Sequence, residues 1–176
     1  RAPVLDPGQG RTKTGYLWTV VRDDRGHAGA DPPIVVYHYA PGRGGAHAER
    51  ILEGFEGVLQ VDGYTGYHRL ARPERTGGAP LRLAACWSHG RREIIAATPK
   101  AGSPIADAVL ARVAALYGVE KEIRGADAAT RQEVRNERSR PLVAELERFL
   151  REQAARLSSG SEMGKAIAYL LNTGTD

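Results

Sequence analysis

The chain has one cysteine, Cys86, so no disulfide can form within it, and a reducing cytosol is the expected compartment. It has no apolar run of the ~18 residues that a membrane-spanning helix needs, so no membrane partner is expected. The opening residues, Arg1-Ala2-Pro3-Val4-Leu5-Asp6-Pro7-Gly8, lack both an apolar signal core and an initiator Met. Either the Met was removed or the piece was cut from something longer. Lysine is scarce: Lys13, Lys100, Lys121 and Lys165 stand among 25 basic residues. The remaining arginines suit bidentate contact with phosphate. A G+C-rich genome accounts for the same bias, because it also raises Ala and Gly. Internal repeats and low-complexity tracts are absent. What remains is 176 residues, 41% hydrophobic and 26% charged, enough for a packed core. The net charge of +4 permits nucleic-acid binding without establishing it.

The first hundred residues read as strands broken by turns. Residues 1–5 form a strand stub, and Pro7-Gly8-Gln9-Gly10 a turn. Tyr16 to Val21 and Ile34 to Tyr39 are rich in aromatic and β-branched residues and read as strands. Residues 46–54 suit a short helix with Ile51, Leu52 and Phe55 on its apolar face. Val58-Leu59-Gln60-Val61 follows as a buried strand, which predicts a parallel crossover. A Gly- and Pro-rich loop occupies 71–80, and Leu81 to Cys86 is another short strand before a helix over 89–97. Beyond residue 100 the spacing of apolar residues turns helical. Ser103-Pro104, Asp127 and Ser161 mark helix starts, and Pro141 starts a new segment or kinks the old one.

Asp62 is the leading candidate for chemistry. An acid at the tip of a strand is placed to hold a metal ion, although one Asp alone binds Mg²⁺ weakly. Taken alone, Asp62-Gly63 after a strand is usually just a turn, and the signal strengthens only in company. Tyr64 and Tyr67 accompany it, and Cys86-Trp87-Ser88-His89-Gly90-Arg91-Arg92 comes later. Cys86-x-x-His89 has the spacing of half a zinc site, but no second Cys exists to complete one. Three other readings stay open for this segment. Cys86 and Trp87 belong to the core with His89 bonding locally; or His89, Arg91 and Arg92 flank an active site and meet phosphate; or Cys86 and His89 form a nucleophilic dyad, for which no oxyanion hole is evident. Thr12-Lys13-Thr14-Gly15 lacks the glycine spacing of a phosphate loop and reads as a hairpin turn. There Lys13 and Arg11 are candidates for DNA-backbone contact.

Several ordered motifs together resemble one family. Val4-Leu5-Asp6-Pro7-Gly8-x-Gly10-x-Thr12-Lys13-Thr14-Gly15-Tyr16-Leu17-Trp18 comes first, then Leu59-Gln60-x-Asp62-Gly63-Tyr64-x-Gly66-Tyr67, then Cys86-Trp87-x-His89-x-Arg91-Arg92. Leu116-Tyr117-x-x-Glu120 and Ser161-Glu162 leading to Ala166-Ile167-x-Tyr169 continue the match to about Asn172. The chain resembles the insertion sequence 66 family of bacterial transposases.

The resemblance implies a DDE transposase: an α/β, ribonuclease H-like mixed sheet with flanking helices, followed by an all-helical segment. Residues 1–99 would be part of the catalytic core and 100–176 a helical insertion. In the family three carboxylates hold two Mg²⁺ ions, which support cleavage at the element's ends and attack of the freed 3′-hydroxyl on target DNA. By this match Asp62 is the second acid, and Cys86 and His89 match the Cys-x-x-His signature. Lys13, Arg91 and Arg92 are the candidates for DNA phosphate. The implied partners are element-end and target DNA and other transposase subunits, in a bacterial cytoplasm. The family's first Asp belongs before Arg1 and its third acid, a Glu, beyond Asp176. Where the family continues Asn-Arg-Trp, this chain reads Asn172-Thr173-Gly174-Thr175-Asp176. A truncation or frameshift is the expectation, and with it an inactive fragment of low solubility. The rival expectation is a non-catalytic DNA-binding or interaction module derived from a transposase, with an inert relic as a third.

Overall fold

The computed structural model describes residues 1–27 and 29–173. Ala28, the side chains of His27 and Thr173, and Gly174-Thr175-Asp176, part of the segment where a departure from the family pattern is expected, lie outside that description. The described chain is α/β and falls into two compact units. One comprises Arg1–Asp24 and Ala30–Ala84; the other comprises Arg25–Gly29 and the chain from Ala85 onward.

In the first unit, β1 (Ala2–Asp6), β2 (Arg11–Arg22) and β3 (Ile34–Ala40) form an antiparallel sheet in the order β1-β2-β3. Gly8 and Gly10 take positive φ, 76° and 60°, which lets the chain reverse tightly between β1 and β2. Pairing then runs from Asp6↔Arg11 to Ala2↔Gly15. This ladder extends β2 well beyond the strand expected over 16–21. Lys13 therefore sits inside a strand and not in a turn, and Asp6 is the last residue of β1.

The β2–β3 register places Leu17 opposite Tyr39, Thr19 opposite Tyr37 and Val21 opposite Val35. Alternate residues share a face. Trp18 and Val20 lie on the inner one, packed against a core of Ala48, Leu52, Leu70 and Leu81. The opposite face is open: Leu17 is 57% exposed, Val21 60% and Tyr37 66%.

Helix α1 (Gly45–Ile51) buries Ala48 and ends three residues short of the expected span. Gly54 (φ 75°) and Gly57 (φ 113°) then turn the chain. Phe55 consequently falls outside the helix and is 40% exposed, not part of its apolar face. β4 (Val58–Val61) pairs with β5 (Arg82–Ala85) in a separate two-stranded sheet. The expected crossover joining β3 to β4 within one sheet is not formed, since β3 pairs with β2 and β4 with β5. Nor is β4 buried on both sides. Leu59 and Val61 are half-buried, while Val58 and Gln60 face out.

A 3₁₀ stretch, Thr65–Ala71, leads into the 71–80 loop. That loop is organised by Arg75, which is only 6% exposed. Its guanidinium donates to the carbonyls of Leu52 (2.6 Å), Phe55 (3.0 Å) and Ala79 (2.6 Å).

The second unit is helical: α2 (Trp87–Ala97), α3 (Pro104–Glu122), α4 (Ala128–Val134), α5 (Arg140–Ala154) and α6 (Glu162–Thr173). Its core joins Ile94 of α2, Val109 and Val113 of α3, Leu146 and Leu150 of α5, and Ile167 and Leu170 of α6. The expected starts carry real caps. Ser103 Oγ accepts from the Ala106 N–H at 3.3 Å, and Asp127 Oδ1 from the Thr130 N–H at 3.0 Å. Ser161 Oγ accepts from the Gly164 N–H at 3.0 Å. Between α4 and α5 the helix widens into a π turn, Arg135–Ser139. Pro141 supplies the cause: it has no N–H for the Glu137 carbonyl four residues back, and its ring crowds that turn. A new helical segment, α5, starts at Arg140 with Pro141 in its first turn, as expected, and the backbone stays helical through the π turn.

Candidate functional site

Asp62 directly follows β4 and is exposed. Gly63 takes φ 79°, a conformation that side chains disfavour, and turns the backbone so that the Tyr64 N–H donates to Asp62 Oδ1 at 3.1 Å. The turn reading and the strand-tip reading of Asp62-Gly63 are thus both correct locally. The same turn that ends the strand aims the carboxylate.

Tyr64 connects this tip to a second loop. Its hydroxyl donates to the Arg43 carbonyl at 2.7 Å, and the Arg43 guanidinium lies 5.6 Å from its ring centroid. Tyr64 meets Tyr67 edge to face at 5.8 Å, and Tyr67 meets Trp18 in the same way at 5.9 Å. The Trp18 indole N–H in turn donates to the Gly42 carbonyl at 3.4 Å. Two glycines make the approach possible. A Cβ on Gly66 would strike the Tyr64 ring, and one on Gly45 would strike the Gly66 carbonyl and come within 2.6 Å of Arg69 Cδ. The Asp62-Gly63-Tyr64-x-Gly66-Tyr67 motif is therefore a packing unit. It sets an acid at the strand tip, turns, and lays an aromatic ring against the 42–45 loop. Burial, then the charge of Asp62, then Tyr64, push the Tyr67 hydroxyl above its ordinary pKa.

The remaining candidates are placed as follows. Lys13 is paired with Asp6 at 2.8 Å, and that hydrogen bond raises its pKa. Cys86 caps α2 through its backbone, its carbonyl accepting from the N–H groups of His89 (3.0 Å) and Gly90 (3.4 Å). Its thiol is free and half-buried. His89 is half-buried, and its buried Nδ1 has no hydrogen-bond partner among the described residues. Arg91 and Arg92 are exposed on the next turn of α2. Gly90, just before them, is buried, and a Cβ there would strike Leu170 of α6. Asp62 belongs to the first unit and the Cys86–Arg92 segment to the second.

Among the described residues no three His, Cys, Asp or Glu side chains gather as a metal site. Asp62 is one carboxylate with one oxygen already accepting from Tyr64. That donor set does not fit a pair of Mg²⁺ ions, each of which takes several oxygen ligands. No helix among the described residues is long and apolar enough to cross a membrane.

Sequence reasoning missed Arg43 and the close approach of its loop. The signal was present as Gly42-x-Gly44-Gly45 matched to Gly66, but spacing along the chain does not announce that two glycine stretches meet.

Comparison with known proteins adds to this geometry. The family described as Transposase IS66 family matches residues 1–175. Among curated proteins, "Uncharacterized protein y4jD" of Sinorhizobium fredii is 43% identical over 97% of this chain and 34% of its own length. "Uncharacterized protein y4qI" from the same organism is 39% identical over 96% of the chain and 32% of its own length. "Uncharacterized protein y4hP", also from that organism, is 35% identical over 94% and 32%. The chain thus spans about a third of the length of these relatives. No solved structure matches significantly. With a family match over almost every residue, the chain belongs to the IS66 family of transposases.

Proposed function

We propose that this chain is the central part of a DDE transposase catalytic region, with a ribonuclease H-like core over 1–99 and a helical insertion over 100–176. In this reading Asp62 is one of the acids that hold the divalent cations of DNA strand cleavage and transfer. The observation that carries it is the Asp62 carboxylate at the tip of β4, held by the Tyr64 amide in a chain of the IS66 family. The arginine-rich surface, with Arg91 and Arg92 exposed on α2, supports contact with DNA phosphate. Cys86 and His89 serve that helix's start, where the Cys86 carbonyl receives the first helical amides.

The chemistry itself belongs to a larger assembly of ligands. A single Asp does not set two cations, so this chain alone binds DNA and does not cut it. The same observation favours the rival reading, a transposase-derived module that binds DNA without catalysis.

Two measurements on the chain test these statements. Duplex DNA binding followed by fluorescence anisotropy should weaken steeply with salt; absence of binding at low salt refutes the DNA-acting reading. Incubation with element-end DNA and Mg²⁺ or Mn²⁺ should leave the strands intact. Cleavage that disappears in Asp62→Ala refutes the claim that the chain alone is inert.

A further inference from the structure

We propose that Arg43 is a phosphate contact for nucleic acid, held in place by Tyr64, the residue whose amide is bonded to Asp62. The inference rests on the DNA-acting reading above and adds to it a residue and a way of positioning that residue.

Many arginines of this chain are spent on carboxylates. Arg22 pairs with Asp24 and Asp31, Arg69 with Glu49, Arg135 with Glu120, and Arg151 with Glu147. Arg43 is exposed, and among the described residues no carboxylate pairs with it. It is nevertheless held in place. The carbonyls of Gly42 and Arg43 accept from the Trp18 indole and the Tyr64 hydroxyl, so the loop is tied on both sides of the residue. The guanidinium itself lies over the Tyr64 ring.

This arrangement matches what phosphate recognition asks of an arginine. A cation–π contact steadies the guanidinium through its charge and leaves its N–H donors for a two-pronged contact with phosphate oxygens. Tying the loop in advance lowers the ordering cost of that contact. Tyr64 also donates its amide to Asp62, so one residue fixes both the acid and the cation. Asp62 and Arg43 are thus tied to the two ends of one residue, the amide and the ring of Tyr64. Tyr64 acts here as a positioning residue, because it reaches the phosphate only through Arg43.

The test measures binding of the full chain to a labelled DNA duplex across a salt series by fluorescence anisotropy. Arg43→Ala should reduce the slope of log affinity against log salt by about 0.9, the signature of one lost phosphate contact. Affinity at low salt should fall roughly tenfold, as for one charge-assisted contact. Arg43→Lys should keep the slope, since the charge remains. Tyr64→Ala should lower affinity while keeping most of the slope, the double variant should lose little beyond Arg43→Ala alone, and Tyr64→Phe, which keeps the ring, should recover part of the affinity. Arg43 is exposed, so Arg43→Ala should melt like the parent chain, and its slope is read on folded protein even if Tyr64→Ala is damaged. A parent chain that binds DNA while Arg43→Ala leaves slope and affinity unchanged overturns the proposal and spares the DNA-acting reading. A parent chain that does not bind at all overturns both.

Discussion

Replacing Arg75 by Met keeps the unbranched apolar stem and removes every donor. The structure sets the scale of the loss. Arg75 is 6% exposed and closes three hydrogen bonds, to the carbonyls of Leu52, Phe55 and Ala79. Hydrogen bonds from a charged donor contribute roughly 1.5–3 kcal/mol each, which sets an upper range of ~4.5–9 kcal/mol for three. Two effects reduce it. Burying a guanidinium without a carboxylate costs free energy that Met does not pay, and Nε is buried without a partner. Carbonyls in the 71–80 loop also regain water once the loop loosens. A net loss of about 3 kcal/mol follows. The assay is urea unfolding of the chain followed by the fluorescence of Trp18, which packs against the same core. Arg75→Lys, with one ammonium for three carbonyls, should fall between Met and the parent. A loss below about 1 kcal/mol for Arg75→Met would mean that the loop is held by its backbone and not by this side chain.

Three other perturbations probe separate parts of the structure. Gly90→Ala drives a Cβ into the Leu170 side chain, which is 3% exposed in the helical core and must shift to admit it. The overpacking cost of roughly 1–3 kcal/mol should exceed the gain of about 1 kcal/mol in helix propensity, so thermal unfolding should come at lower temperature. Tyr67 titrates above its ordinary 10.0, chiefly through burial. With the folded pKa raised, the folded state holds its proton longer; stability is full below pH 10.0 and falls as pH rises through the folded pKa. Tyr67→Phe should flatten that alkaline decline, read by pH-dependent urea unfolding. Finally, Val35→Thr with Tyr37→Ser on the open sheet face should raise soluble yield and reduce binding of a hydrophobic dye, because that face exposes a contiguous apolar surface.

Local chemistry made much of the fold legible. Ser103, Asp127 and Ser161 advertise helix starts because a short polar side chain before an apolar periodic run has few other uses, and all three accept a helix amide. The tip position of Asp62 was likewise readable from the apolar run ending in Asp-Gly. Pairing was not. Nothing within Val58–Val61 states that its partner is β5, because strand pairing is decided by packing far along the chain. β2 was read short for a related reason: Arg11 to Thr14 are polar, and only their register with β1 makes them strand. The neighbours of Asp62 were hidden in the same way. The Arg43 loop reaches Tyr64 because Gly45 and Gly66 permit a close approach between segments distant in sequence.

The role of Asp62 itself is tested most directly by a chimera in which this chain replaces the matching 172-residue region of the 43%-identical Sinorhizobium fredii relative. Transposition is then scored in a donor-to-target plasmid assay beside Asp62→Ala and Asp62→Asn. On the proposed function, where the unaltered relative scores for movement the chimera scores too, and both substitutions abolish movement while DNA binding persists. Movement at an undiminished frequency in Asp62→Ala would show that this carboxylate holds no catalytic cation.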